Sequence, residues 1–396
     1  VEPVPSSLER TGSHVSESLA AVLALALEWA GPDRLAVWLG GSHARGEGVW
    51  VNVAGQRVSL SDVDLYAALP DQAACREAEA RARAARPGLA ARLLECGLAA
   101  PLEVAFLTPD GLARMAARPG TIELSRHGAC VAGDDAWRAR LPRPSAADVS
   151  REEIQLLVEN RAFELLAARL ALERDDALSG LGARHATLKS TLDLATVACL
   201  LAGEYPDGAE ARVQRAAALD PWPGARVELQ TLWMAALDWR RDPRPLDDAA
   251  SALGEWERAA HAWSLVWGAL AGLPDGADTD AWWAAARRVA ARARARRRAR
   301  AAVAFPTRGG LGPGAWSRWR FAARGTPQHR LNASAAVLLV ARPASGDAWP
   351  EAARATLRRL GALPLPRHVG WREAVRETLR TWDRWVLDGQ RFAEAR

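Results

Sequence analysis

The chain has 396 residues, 49% hydrophobic and 25% charged, a balance that excludes a disordered or fibrous protein and leaves room for two hydrophobic cores. The formal charge of +5 and pI of 9.5 fit an anionic partner such as a phosphate, although net charge governs association and solubility and leaves the fold open. No apolar run reaches the roughly 18 residues a membrane span needs. Acidic Glu2, Glu9 and Glu17 also stand where a secretory leader would be basic, so a cytoplasmic protein with no membrane partner is expected.

In chain order, a helix is expected near Ser16–Ala30, and Gly31-Pro32-Asp33 turns into a short apolar strand, Arg34–Leu39. Gly40-Gly41-Ser42 breaks that strand. Val49–Val53 and Arg57–Leu60 alternate in period two around Ala54-Gly55-Gln56 and read as a β-hairpin. A strand over Val63–Leu69 follows, then helical sequence from Gln72 to Gly97 interrupted at Pro87-Gly88, then a strand over Pro101–Thr108. Ile122–Val131, with a turn at His127-Gly128, closes the first domain near Gly133-Asp134. Strands alternating with helices make residues 1–140 a mixed α/β domain.

A Pro- and Ser-containing linker, Leu141–Ser150, opens into residues 151–396, which read as an all-α domain. Helix breaks are expected at Gly180–Gly182, Pro206–Gly208, Pro221–Gly224 and Pro243–Pro245, and a loop over Phe305–Pro327, with further helices up to Leu387. Fourteen of the 18 tryptophans fall after residue 150, several at helical spacing, which points to core filling between helices. Eight arginines crowd Arg287–Arg300. Alanines interleave throughout and no aromatic residue is present to stack on bases, so a solvated helix face is favoured over a nucleic-acid site. The four cysteines, Cys75, Cys96, Cys130 and Cys199, form no C-x-x-C pair and read as reduced thiols.

The chemistry concentrates in Leu39-Gly-Gly-Ser-His-Ala-Arg-Gly-Glu47 and Ser61-Asp-Val-Asp-Leu65. Two glycines after a strand let backbone approach a phosphate with no Cβ between, and Ser42 adds a hydroxyl. Asp62 and Asp64, two apart at the start of a strand, share a face while Val63 points into the core. Carboxylates held so close repel unless a cation lies between them, and Mg²⁺ suits carboxylate and phosphate oxygens. Glu103, flanked by Leu102 and Val104 on a later strand, adds a third carboxylate, giving a set suited to two metal ions.

This order of elements resembles the signature of the DNA polymerase β-type nucleotidyltransferase superfamily over about residues 16–135, and within it the aminoglycoside adenylyltransferase-like branch. The resemblance implies an α/β nucleotidyltransferase domain with a mixed sheet and helices, followed by an all-α substrate-binding domain. Asp62, Asp64 and Glu103 would then be catalytic, Asp62 and Asp64 holding two Mg²⁺ ions and Glu103 being a third metal ligand or the base for the acceptor proton. Gly40, Gly41, Ser42, Arg45 and Lys189 would bind the nucleotide. Lys189 is the only lysine among 52 Lys and Arg residues, which marks a position where a compact ammonium is retained; Arg161 is a weaker candidate for the same role. The 19 residues between Ser42 and Asp62 exceed the superfamily's usual spacing, and the hairpin absorbs the excess.

The expected activity is transfer of a nucleoside monophosphate, AMP from ATP, to a hydroxyl of a small acceptor with release of pyrophosphate. Two rivals stand beside it. One is nucleotidyl transfer to RNA, protein or another nucleotide. The other is an inactive nucleotide-binding or toxin–antitoxin-type interaction module.

Overall fold

The computed structural model describes residues 13–246, 248–274, 276–291, 327–343, 346–360 and 368–385. They divide into two compact units. The first comprises Val1–Ile154, Ala198–Leu219 and Leu237–Pro245, and the second Gln155–Val197, Asp220–Ala236 and Leu246–Arg396. The first unit therefore takes two segments from beyond the expected boundary at 140–151.

The first unit is built on a mixed sheet ordered β5-β4-β1-β6. Its strands are β1 (Ala36–Leu39), β4 (Val63–Ala68), β5 (Leu102–Leu107) and β6 (Ala129–Gly133). Strand β1 runs antiparallel to both β4 and β6, whereas β4 and β5 are parallel, with Asp64 opposite Glu103. A parallel pair needs a crossover, supplied here by α3 (Gln72–Ala84) and α4 (Leu89–Glu95), which part at Pro87-Gly88 as expected.

Strand alternation gives the sheet two distinct faces. Val37, Leu39, Val63, Leu65, Ala67 and Leu102 pack on one side against α1 (Ser13–Ala30), which offers Leu19, Val22, Leu23, Ala26 and Trp29 at helical spacing. Ala36, Trp38 and Ala68 face the other way, toward Leu112 of α5 (Pro109–Ala113) and Leu124 of α6 (Pro119–His127). Asp64 and Glu103 share the parity of this second face.

The hairpin of β2 (Trp50–Val53) and β3 (Gln56–Ser59) turns through Ala54-Gly55. Both turn residues have positive φ, 51° and 82°, the geometry that matches the twist of two-residue hairpins. Ser59 then bridges to Leu98, which ties the hairpin's second strand to the segment leading into β5.

Among the described residues every regular element after Gly133 is helical. One expected break is absent: Gly180 and Gly182 lie inside the continuous helix α8 (Ala177–Leu201). The chain turns earlier, where Asp176 caps the helix by accepting from Ser179 N at 2.7 Å. A side-chain cap outweighs the low helix propensity of two glycines in the first turns. The breaks at Pro206–Gly208, Pro221–Gly224 and Pro243–Pro245 all occur.

In the second unit, tryptophans of α11 (Ala249–Leu270) fill the core as expected. Trp256 Nε1 donates to the Leu165 carbonyl and Trp263 Nε1 to that of Val158, both at 2.7 Å. Trp282, stacked on Trp267 at 5.6 Å, instead lines a cavity of about 520 Å³ with Glu257, His261 and Arg342. Arg287 and Arg288 are exposed on α12 (Thr279–Ala291). The rest of the arginine run, the expected loop from Phe305 and the chain around Leu387 lie outside the described residues. No described helix is long and apolar enough to cross a membrane.

Candidate active site

Strand β1 ends at Leu39 because Gly40 and Gly41 leave the sheet, with Gly40 N still donating to the Asp64 carbonyl at 2.8 Å. Gly41 takes φ +63°, and a Cβ built on it would lie 2.3 Å from Asp64 Oδ2. Only glycine lets the turn and this carboxylate come so close. Ser42 follows in the short helix α2 (Gly41–Ala44), its Oγ buried with no hydrogen-bond partner in the protein. Gly40 is shielded by Tyr66, whose Cε2 would lie 2.9 Å from an added Cβ.

Asp64 and Glu103 are register partners on adjacent strands, and both are half-buried. Asp62 stands one residue ahead of β4, half-buried, while Val63 between the two aspartates is fully buried. The structure brings Asp64, Glu103 and the Gly41–Ser42 turn together at one end of the sheet, whereas Asp62 precedes the strand. Tyr66 reports the accumulated negative charge: burial, then Asp64, Glu123 and Glu103, push its phenol well above the ordinary range. The ring is wedged between Gly40 and Gly120, the latter's added Cβ falling 3.2 Å from the hydroxyl. That is the environment of a packed strand side chain.

A turn with no Cβ at its apex and an unpartnered buried hydroxyl suits an oxygen-rich anion held beside a cation. Among the described residues no group of three or more His, Cys, Asp or Glu side chains closes as a metal cage. Mg²⁺ needs none, since it is commonly held by one or two carboxylates, substrate phosphates and water. Asp64 and Glu103, opposite each other on adjacent strands, could supply carboxylate oxygens of that kind.

His43 anchors the turn, and nothing in the sequence pattern assigned it a role. Its Nε2 lies 3.2 Å from the Ser61 carbonyl and 3.1 Å from Ser59 Oγ, and that hydroxyl itself donates to the same carbonyl. Burial depresses the imidazole's pKa, outweighing the opposing pull of the Ser61 carbonyl and of Asp62. The ring thus ties the Gly41–Ser42 turn to the residues that lead directly into Asp62.

Arg45 is committed to two carboxylates, 3.0 Å from Glu47 and 2.5 Å from Glu123. Burial alone would lower its pKa, but Glu123 and then Glu47 raise it above the usual guanidinium value. Around this pair gather residues from the two later segments of the first unit. Tyr205 Oη donates to Glu123 at 2.5 Å, and Arg212 stands 3.6 Å from Glu123. Ala209 N donates to Glu47 Oε1 at 3.2 Å, and Arg240 donates to the Glu47 carbonyl at 2.6 Å. These contacts join Ala198–Leu219 and Leu237–Pro245 to the unit, and they link residues too distant in sequence for any local pattern to show.

Lys189 is half-buried on α8 within the second unit, with Leu188 and Ser190 buried on either side. Arg161, also in that unit, is held by Asp193 at 2.5 Å and by Glu164. None of the four cysteines is in a disulfide, and burial pushes the Cys199 thiol up to about 11. Compared with known proteins, the chain matches no family model, no curated protein and no solved structure.

Proposed function

We propose that the chain is a Mg²⁺-dependent nucleotidyltransferase that moves AMP from ATP to a hydroxyl of a small acceptor and releases pyrophosphate. The observation that carries this reading is the 2.3 Å separation between Asp64 Oδ2 and the Cβ that Gly41 lacks. A carboxylate against a bare glycine turn, beside a buried and unpartnered serine hydroxyl, is an arrangement for oxygen ligands of opposite demand. The order of motifs, which resembles that of the polymerase β-type superfamily, supports the same reading, as does the sheet that carries them.

In this scheme Gly41 and Ser42 hold the phosphates, the Ser42 hydroxyl donating to a phosphate oxygen. Bound Mg²⁺ would supply charge neutralisation between the phosphates and Asp62 and Asp64. Glu103 takes the proton from the acceptor hydroxyl as its oxygen bonds to the α-phosphorus. The bond from that phosphorus to the bridging oxygen breaks, and pyrophosphate leaves with the electron pair. Positioning and electrostatics provide nearly all the catalysis in reactions of this kind.

The test is incubation with α-labelled ATP, Mg²⁺ and a pool of sugars, aminoglycosides and RNA. A labelled small molecule is expected, with at least about a hundredfold loss for Asp62→Ala or Asp64→Ala. Asp62→Ala retaining most of the pyrophosphate release with its acceptor present would sink the proposal. Label on RNA instead would establish the macromolecular alternative, and failure to bind Mg-ATP by calorimetry would leave the interaction-module reading.

A further inference from the structure

We infer that Glu47 and Glu123 are positioning residues, which act through Arg45 to hold the Gly41–Ser42 turn against Asp64; this rests on the nucleotidyltransferase reading. The segment from Gly41 to Glu47 is short and carries little apolar anchorage of its own. Its backbone bonds include Ala44 N to the Gly40 carbonyl at 3.4 Å, Arg45 N and Gly46 N to that of His43, and Glu47 N to that of Ser42 at 2.8 Å. The last of these makes the Ser42 peptide depend on where Glu47 sits.

Glu47 is tied to three other residues. Its carboxylate takes the Arg45 guanidinium and the Ala209 amide, and its carbonyl takes Arg240. Space is also tight there, since a Cβ on Gly208 would lie 3.1 Å from Glu47 Oε1. Glu123 grips the far side of the same guanidinium and is itself held by Tyr205. A planar fork between two fixed carboxylates has little freedom to rotate. His43, in the same segment, is buried against Ser59 and Ser61. The turn is therefore held through both Arg45 and His43, and Ser42 Oγ within it is buried with no hydrogen-bond partner in the protein.

A network that only stabilised the fold would lower melting temperature and leave the affinity of the folded protein for nucleotide unchanged. A positioning network couples to Ser42. The experiment is a double-mutant cycle on the full chain, with Mg-ATP affinity measured by calorimetry for wild type, Ser42→Ala, Glu47→Gln and the double variant, and thermal melting recorded for each. Glu123→Gln serves as the second variant should Glu47→Gln fail to fold. Each single variant is expected to weaken Mg-ATP about tenfold, and the double variant by little more than the worse single, since residues acting as a unit are non-additive. Multiplied losses in folded variants would overturn the inference while leaving the nucleotide site intact. Affinity unchanged in Glu47→Gln would do the same. Absence of Mg-ATP binding by the wild type would remove the functional reading and this inference together.

Discussion

An alanine at position 41 would suffer twice, and the two effects can be separated. A side chain at φ +63° costs about 1–2 kcal/mol in the left-handed region, and this one would also collide with Asp64 at 2.3 Å. Gly46 has nearly the same φ, +71°, with nothing within 4 Å of its added Cβ. Gly46→Ala should therefore lose only the backbone term, about 1 kcal/mol by urea unfolding, and keep Mg-ATP binding. Gly41→Ala should lose at least as much stability and most nucleotide binding as well. Equal behaviour of the two variants in a binding assay would argue against a phosphate-holding turn. At this scale the sequence was informative, because Gly41, Ser42, Val63 and Asp64 act through neighbours one or two residues away or on an adjacent strand. Arg45 was not legible in the same way: nothing in the local pattern shows that it faces Glu123 rather than solvent or a phosphate.

Among elements, α8 shows how a correct local rule gives a wrong boundary. Glycine is a poor helix former, yet Gly180 and Gly182 carry no special φ and have open space where a Cβ would go. The Asp176 cap decides where the helix begins. Gly182→Ala should then raise stability by about 0.5–1 kcal/mol, measured from the urea midpoint, by reducing the freedom of the unfolded chain. A neutral or destabilising result would mean that the glycine serves a turn after all. The hairpin was easier to read, since alternating residues around a two-residue turn specify both strands and their register. Ala54 supports that geometry at some cost, holding φ +51° where asparagine or glycine is more at ease. Ala54→Asn should accordingly raise the melting temperature by a few degrees, corresponding to about 1 kcal/mol.

At the scale of the molecule, the first unit depends on charges brought from far along the chain. Burial pushes the Glu47 carboxyl up, but Arg45, Arg240 and Arg212 outweigh it and hold the group below its ordinary value of 4.5. A carboxyl depressed in the folded state adds stability above its ordinary value and loses it as the pH falls through the folded one. Wild type should therefore lose stability between pH 4.5 and the folded value in a way that Glu47→Gln does not, as read from urea midpoints across that range. Identical pH slopes would show that the carboxylate gains nothing from its arginines. This level was the least visible in the sequence. A contiguous α/β half and helical half follow from composition and periodicity, whereas membership of Tyr205, Arg212 and Arg240 in the first unit rests on tertiary charge pairing.

The split first unit also sets an order of events during synthesis. Glu47 and Glu123 are made early, but Arg240 arrives only after the ribosome has added roughly ninety residues beyond Ile154, about 5–20 s at ordinary elongation rates. Through that interval the two carboxylates have Arg45 between them and lack Tyr205, Arg212 and Arg240 for at least part of the time. The turn that carries Ser42 can reach its final rigidity only late, so the nascent sheet emerges with that end still loosely held until Arg240 has left the tunnel.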